Sequence, residues 1–240
     1  MILGCGNVAW HIAKHLQSLK KHSVFVYNHQ TNEALNDFRT KLKCNIAVGL
    51  ENVIHDADFY FICVSDKHIS ETAAALDIKN PNAVLMHTSG STKLKELGKR
   101  IHDTALFYPL QTFSKGDTIN WAEVPVIIEA SSESLQAKLL QLAHHFTKTV
   151  KVLDYKERLK LHLAAVFVNN FTNALYVAAS TLVNEKETGK EDLTMLLPLI
   201  KQTTYKLNKL SPLAAQTGPA KRKDEVVIKK HLGLLAEHPE

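Results

Sequence analysis

The chain has 240 residues, 45% of them apolar and 22% charged, which is the balance of a globular protein with one large core or two ordinary ones. No apolar run approaches the roughly 18–20 residues of a membrane span, and the amino end lacks the basic-then-apolar order of a secretory signal. The net charge of +5 invites a nucleic-acid reading, but the lysines are spread in short clusters such as Lys20-Lys21 and Lys221-Arg222-Lys223 without interleaved aromatics. That pattern argues against nucleic acid and suits a small polyanion.

Short apolar runs stand at residues 1–3, 24–27, 45–48, 59–64, 83–86, 124–128 and 150–153. Helical spacing fills gaps between them, as in Val8, Ile12, Leu16 and Leu19, and later in Leu135, Leu139, Leu142 and Phe146. The alternation predicts βαβ units, hence an α/β fold with a mostly parallel sheet over residues 1–153. The unbroken apolar run at 59–64 predicts a sheet covered on both faces. The first run is only half a strand long, so its strand is expected to begin upstream of Met1. Cys5, Cys44 and Cys63 are an odd set without metal or redox spacing, which points to a reducing cytoplasm. Thirteen histidines are many, but pairs such as His11/His15 and His144/His145 lack further ligands nearby, and no metal site is expected.

From 155 to about 183 neither Gly nor Pro occurs, which predicts one long helix. A loop is expected over 184–191, then a helix over 193–210 that Pro198 kinks or starts. Ser211-Pro212 marks a break. Thr217 or Gly218 is expected to cap a last helix with Pro219 in its first turn, running to about 237. Residues 154–240 thus read as a separate all-α domain.

Gly4-Cys5-Gly6-Asn7-Val8-Ala9 fits G-x-G-x-x-A between a strand and an amphipathic helix. Gly4 permits the tight turn, Gly6 removes a side chain where a diphosphate would approach, and Ala9 lets the helix lie close on the sheet. The amides of Asn7 and Val8 at the helix N-terminus would face the phosphates. This is a dinucleotide-binding pattern. The second strand ends Asn28-His29-Gln30-Thr31 with no acid until Glu33. An NAD site usually carries a carboxylate there, whereas Asn28, His29 and Thr31 can donate to a 2′-phosphate, so NADP is favoured over NAD.

Ligands in such sheets lie beyond the carboxyl ends of the strands. Val64-Ser65-Asp66 follows the fourth, where Asp66 either faces the ligand or caps the next helix. His87-Thr88-Ser89-Gly90-Ser91 follows the fifth, where Thr88 and Ser89 suit a ring-binding loop and turn chemistry explains them equally well. His87 reads either as a proton carrier or as a satisfied core histidine. Gln111, after Tyr108-Pro109, is a candidate to reach the cleft. The long helix is apolar nearly all round (Leu159, Leu163, Val166, Phe167, Phe171, Leu175), which predicts burial. Yet His162, Asn169, Asn173 and Tyr176 share a stripe about 60° wide at 100° per residue. Such a stripe faces a cleft, with His162 moving a proton and Asn169 or Asn170 orienting a substrate, or else forms an interhelical seam.

Gly4 to Ala9, His87-Thr88-Ser89-Gly90, Tyr108-Pro109-Leu110-Gln111-Thr112-Phe113 and Thr217-Gly218-Pro219-Ala220-Lys221-Arg222-Lys223-Asp224 together resemble a bacterial two-domain family. Its members join a Rossmann-like NADP-binding domain to a helical C-terminal domain of unassigned function. They are labelled NADP oxidoreductases in the manner of deazaflavin-dependent ones. The wider relatives are similar to pyrroline-5-carboxylate reductase and to the 6-phosphogluconate and 3-hydroxyisobutyrate dehydrogenases. The resemblance implies cofactor binding in the first domain, a substrate cleft between the two and dimerisation through the helices. Those hydroxyacid dehydrogenases set a catalytic Lys and Asn on their first long interdomain helix. Here Lys160 lies off the polar stripe and His162 on it, so the lysine does not carry over.

The resulting expectation is an NADP(H)-dependent oxidoreductase moving hydride to or from a C=O or C=N carbon of a small polar substrate. His162 is its proton carrier and His87 the rival; Ser89, Gln111, Asn169, Asn170 and Asn173 hold the cofactor ring or substrate. The alternative is an NADP-binding regulatory or interaction module without catalysis.

Overall fold

The computed structural model describes residues 1–98, 103–183 and 190–236. By contacts the chain divides into two units, Met1–Val166 and Phe167–Glu240. The boundary expected at 153/154 falls one helix earlier than this division.

The first unit carries an eight-stranded sheet: β1 (Ile2–Leu3), β2 (Phe25–Asn28), β3 (Asn45–Val48), β4 (Phe59–Ile62), β5 (Val84–His87), β6 (Asp103–Pro109), β7 (Val126–Ala130) and β8 (Val150–Val152). Their order is β3-β2-β1-β4-β5-β6-β7-β8. The first six are parallel, β7 runs antiparallel to β6, and β8 is parallel to β7. The seven apolar runs all became strands. The eighth, β6, is the one the apolar pattern missed, because Asp103 and Thr104 open it and Pro109 closes it.

Side chains along a strand alternate between faces. Ile2, Val26, Phe61, Val84, Met86 and Phe107 accordingly enter one core with helices α1 (Asn7–Ser18), α2 (Glu33–Thr40) and α4 (Glu133–His144). Leu3, Tyr27, Tyr60, Ile62 and Leu85 enter a second core with α3 (Ile69–Ala75). Both faces are covered, as the run at 59–64 required. The order 3-2-1-4 places a change of direction beside β1, and the chain leaves β1 there through Gly4, Cys5 and Gly6.

The loop after β6 is tied across α1 and α2. The His11 ring bonds the Ser114 carbonyl at 2.8 Å, and Lys115 pairs with Asp37 at 2.6 Å while lying over the Trp10 ring. Helix α5 (Tyr155–Val166) closes the first unit, and a π-type turn at Phe167–Phe171 opens the second.

The second unit holds α6 (Thr172–Val183), α7 (Lys190–Lys206), α8 (Pro212–Ala215), α9 (Pro219–Arg222) and α10 (Glu225–Ala236). Pro198 lies inside α7 rather than at its start. Gly218, at φ +99°, is the cap before Pro219, but the expected last helix is broken: Lys223 takes left-handed backbone and α10 begins anew at Glu225. Of the loop expected over 184–191, residues 184–189 lie outside the described residues, and residues 190–191 belong to α7 instead. Among those residues no helix is long and apolar enough to cross a membrane.

One sequence expectation fails outright. The helix from 155 to 183 is not buried: Leu163 is 55% exposed, Phe167 56% and Leu175 69%. The polar stripe also breaks. The π-type turn adds a residue between His162 and Asn173, which rotates the residues beyond it by about 100° around the axis.

Phe107 is fully buried, with its ring centroid 5.5 Å from Phe61 and 5.0 Å from Phe146. Phe107→Ala should therefore destabilise the first unit by about 3–5 kcal/mol, read as a lower urea midpoint in tryptophan fluorescence.

Candidate functional site

The turn after β1 is shaped by two glycines for different reasons. Gly4 has φ +105°, and a Cβ there would sit 2.9 Å from the Cys63 carbonyl oxygen at the end of β4. Its own amide donates to the Tyr27 carbonyl at 2.8 Å, so the turn is wedged between the two strands flanking β1. Gly6 caps α1, and a Cβ there would meet nothing within 4 Å. No protein atom demands a glycine at Gly6. What its bareness leaves is open space in front of a helix N-terminus that has no side-chain cap and no acid in its first turn. That is the donor set a diphosphate needs.

Gly4, Cys5 and Gly6 line a groove of about 610 Å³ together with Tyr27, Asn28 and His29 from the end of β2, and Val64 and Ser65 from the end of β4. Leu50, Cys63, His68, Glu71, Thr72 and Ala75 complete it. Its volume is that of a small-molecule or cofactor site. Of the expected cofactor residues, Gly4, Gly6, Asn28, His29, Val64 and Ser65 thus share one groove. Asn7 is exposed at its helix start, Val8 is partly buried, and Ala9 is fully buried against the sheet, as close helix packing requires. Asn28 is buried and spends its amide on the Gln30 carbonyl, while His29 and Thr31 are exposed.

A second constellation lies at the carboxyl ends of β4, β5 and β6. The Ser89 hydroxyl donates to Asp66 at 2.8 Å, and Ser91 donates to the same carboxylate oxygen. Ser89 also accepts from the amides of Ser91 and Thr92. Asp66 therefore binds the loop, with Ser65 as the residue before the short turn it begins. Ser89 organises that loop internally and is buried, so its hydroxyl is committed. Thr88 is half-buried, with its amide donating to the Ile62 carbonyl.

Gly90 leaves no room for a side chain. A Cβ on it would lie 2.6 Å from His162 Nδ1 and 2.9 Å from the Tyr108 ring, and those two side chains meet each other with Tyr108 Oη 3.0 Å from His162 Nδ1. The sequence singled out His162 but named Tyr108 only as part of a motif. Burial pushes the Tyr108 phenol above its usual range, with the Arg158 charge pulling the other way.

Arg158 was not foreseen. It is fully buried, donates from Nε to the Gly90 carbonyl at 3.2 Å and from Nη2 to the Thr92 carbonyl at 2.5 Å, and pairs with Glu129 of β7. Two signals could have found it. It stands four residues before His162 on one helix face, and Glu129 interrupts the apolar strand Val126-Ile127-Ile128, where a buried acid calls for a base.

His87 is closed off: it is fully buried, its Nδ1 accepts from the Ser89 amide at 3.2 Å, and its Nε2 has no partner among the described residues. Gln111 is exposed and turns its side-chain oxygen back onto the Thr112 amide. Lys160 is exposed, while Asn169, Asn170 and Asn173 belong to the second unit and are exposed there. Among the described residues no group of acidic, histidine and cysteine side chains could hold a metal ion.

Residues 1–89 match the family model described as NADP oxidoreductase coenzyme F420-dependent, and residues 124–240 match a domain of unknown function, DUF2520. The crystal structure of a "putative NADP oxidoreductase" from Bacteroides fragilis is 35% identical, spans 99% of this chain and 91% of that one, and superposes with a TM-score of 0.89. A reductive aminase from Aspergillus terreus, solved with NADPH and ethyl levulinate, shares the fold at 18% identity over 86% of this chain and 73% of that one, TM-score 0.63. So does a pyrroline-5-carboxylate reductase from Coxiella burnetii at 18% identity, covering 98% and 91%, TM-score 0.56. Among curated proteins there is no match.

Burial, aided by the Arg158 charge and opposed by Asp66, lowers the His87 pKa from 6.5 to about 4. Between these values the unfolded chain binds a proton that the folded chain refuses, so stability falls as pH falls. Acidifying from about pH 7 to about pH 4.5 should cost the parent chain about 2–3 kcal/mol more than His87→Asn, which keeps an acceptor for the Ser89 amide. Urea midpoints of the two proteins at both pH values measure the difference.

Proposed function

The chain belongs to the family that joins an NADP oxidoreductase domain, coenzyme F420-dependent, to a DUF2520 domain, and on that premise we propose that it moves hydride between NADP(H) and a C=O or C=N carbon of a small polar molecule. The observation that carries the reading is the open Gly6 turn at an uncapped helix N-terminus, inside a groove that runs to the acid-free end of β2. Gly4 and Gly6 with the amides of Asn7 and Val8 hold the diphosphate. His29 and Thr31, with Asn28 fixing their turn, receive the 2′-phosphate. Val64 and Ser65 line the way toward the ring, and Thr88 borders it. When bound, the nicotinamide supplies the hydride chemistry.

The chain's own part is the proton. In this reading the Tyr108 phenol, 3.0 Å from His162 Nδ1, is the donor of their hydrogen bond, and the neutral imidazole carries its hydrogen on Nε2. His162 gives that hydrogen to the substrate oxygen or nitrogen as hydride arrives and takes the phenol proton at Nδ1. The Arg158 charge then stabilises the phenolate. His87, buried and low in pKa, is a fixed acceptor for the loop rather than the proton carrier. Asn169, Asn170, Asn173 and Gln111 remain the substrate candidates of this reading. The free cysteines suit a reducing cytoplasm.

The exposed apolar residues of the second unit, among them Val168 at 74% and Met195 at 82%, support assembly of a homodimer through its helices. Sedimentation equilibrium should return twice the 26.8 kDa of one chain; a monomer at all concentrations rejects the assembly.

NADPH should raise the melting temperature more than NADH does, and protection by neither would remove the cofactor reading. With an active substrate or a deazaflavin acceptor, His162→Ala should lower turnover by roughly two to four powers of ten at unchanged NADPH affinity. Turnover equal to that of the parent chain would take His162 out of the mechanism. Firm NADPH binding with no turnover on any carbonyl, imine or deazaflavin would favour the non-catalytic module.

A further inference from the structure

An ion pair with one partner fully buried and the other half-buried is a poor way to gain stability, since the desolvation of the charges offsets most of their attraction. Arg158 and Glu129 therefore need a reason other than holding the core together. Every bond of the Arg158 fork goes somewhere specific. Nη1 meets Glu129, while Nε and Nη2 take the carbonyls of Gly90 and Thr92. The same short loop offers its Ser89 and Ser91 hydroxyls to Asp66. Residues 89–92 are thus held between a buried cation and a carboxylate, and little freedom is left to Gly90 itself.

Gly90 in turn touches the proton-carrying pair. The space a Cβ would need is already filled by His162 Nδ1 and the Tyr108 ring, so the backbone at Gly90 is the surface against which that hydrogen bond is set. Arg158 and His162 share α5 at a spacing of four residues, which puts them on one face one turn apart. A displacement of the loop by a few tenths of an ångström would be felt directly at the 3.0 Å contact between Tyr108 and His162.

We infer that Arg158, braced by Glu129, is a positioning residue: by fixing the carbonyls of Gly90 and Thr92 it sets the geometry of the Tyr108–His162 hydrogen bond without touching substrate. The inference rests on the proton-carrying reading of that pair for its functional meaning, but its structural content stands apart. The charge of Arg158 also acts on the Tyr108 phenol and on His87, so its removal changes the field as well as the geometry.

The test uses the full chain labelled with ¹⁵N-histidine, with the His162 ring signals assigned by their loss in His162→Gln. Arg158→Lys keeps the charge but has no planar fork to serve two carbonyls and a carboxylate together. Glu129→Gln keeps the volume and removes the brace. In both variants the His162 imidazole signals should move, while the chain still melts cooperatively. Gly90→Ala, which drives a methyl group toward Nδ1, should give the same signature with the ion pair intact. Where a substrate is in hand, the turnover of Arg158→Lys should fall by about tenfold or more at unchanged NADPH affinity. His162 ring signals unchanged in folded Glu129→Gln and Arg158→Lys would overturn the inference. Should Arg158→Lys fail to fold, Glu129→Gln alone decides. A chain that binds no NADPH would defeat the functional reading and leave the resonance result on Arg158 standing.

Discussion

The architecture of the first unit turns on how closely β1 can be followed by α1. The chain must reverse within three residues while wedged between the ends of β2 and β4, and Gly4 does so at φ +105° where a Cβ would lie 2.9 Å from the Cys63 carbonyl oxygen. Any side chain there would push α1 off the sheet and take Ala9, Ile12 and Ala13 out of the core. Because the turn is that tight, α1 begins directly beyond the groove that Gly4, Cys5 and Gly6 line. Backbone sterics at one residue thus decide both where a helix lies and which way its partial positive charge points.

A second glycine works by a related logic at the same edge of the sheet, after β5. Gly90 is not in a left-handed conformation; its constraint is contact, with an imidazole and a phenol ring where a Cβ would be. In the first case absence of a side chain lets backbone approach backbone. In the second it lets two titratable side chains approach each other over a loop. Both sites lie at the carboxyl ends of parallel strands, where strand amides and carbonyls are no longer satisfied by the ladder and loops must take over.

How much of this was legible beforehand depended on the range of the interaction. The glycine turn and helices α1 and α4 are set by neighbours within a few residues, and their sequence patterns hold in the fold. The strand β6 hid because its residues are mixed and its burial comes from β5 and β7, which the local pattern cannot show. Arg158 pairs with Glu129 across 29 positions, and Asp66 with Ser89 across 23, so neither is visible to periodicity. The polar stripe on the long helix failed for another reason. It assumed a uniform 100° step, and the turn at Phe167–Phe171 adds one residue to the register. His162 lies before the turn and keeps its place in the register; Asn173 lies beyond it and is rotated away from that stripe.

The contrast between Gly4 and Gly6 also bears on how such a protein changes over generations. Mutation at Gly4 strikes the scaffold itself, so its products would be cleared by quality control before any phenotype of lost binding emerged. Gly6 faces only empty space, and a side chain there leaves the polypeptide intact while filling the cradle. Drift from a redox catalyst toward an inert architectural module would therefore pass through the second glycine and spare the first.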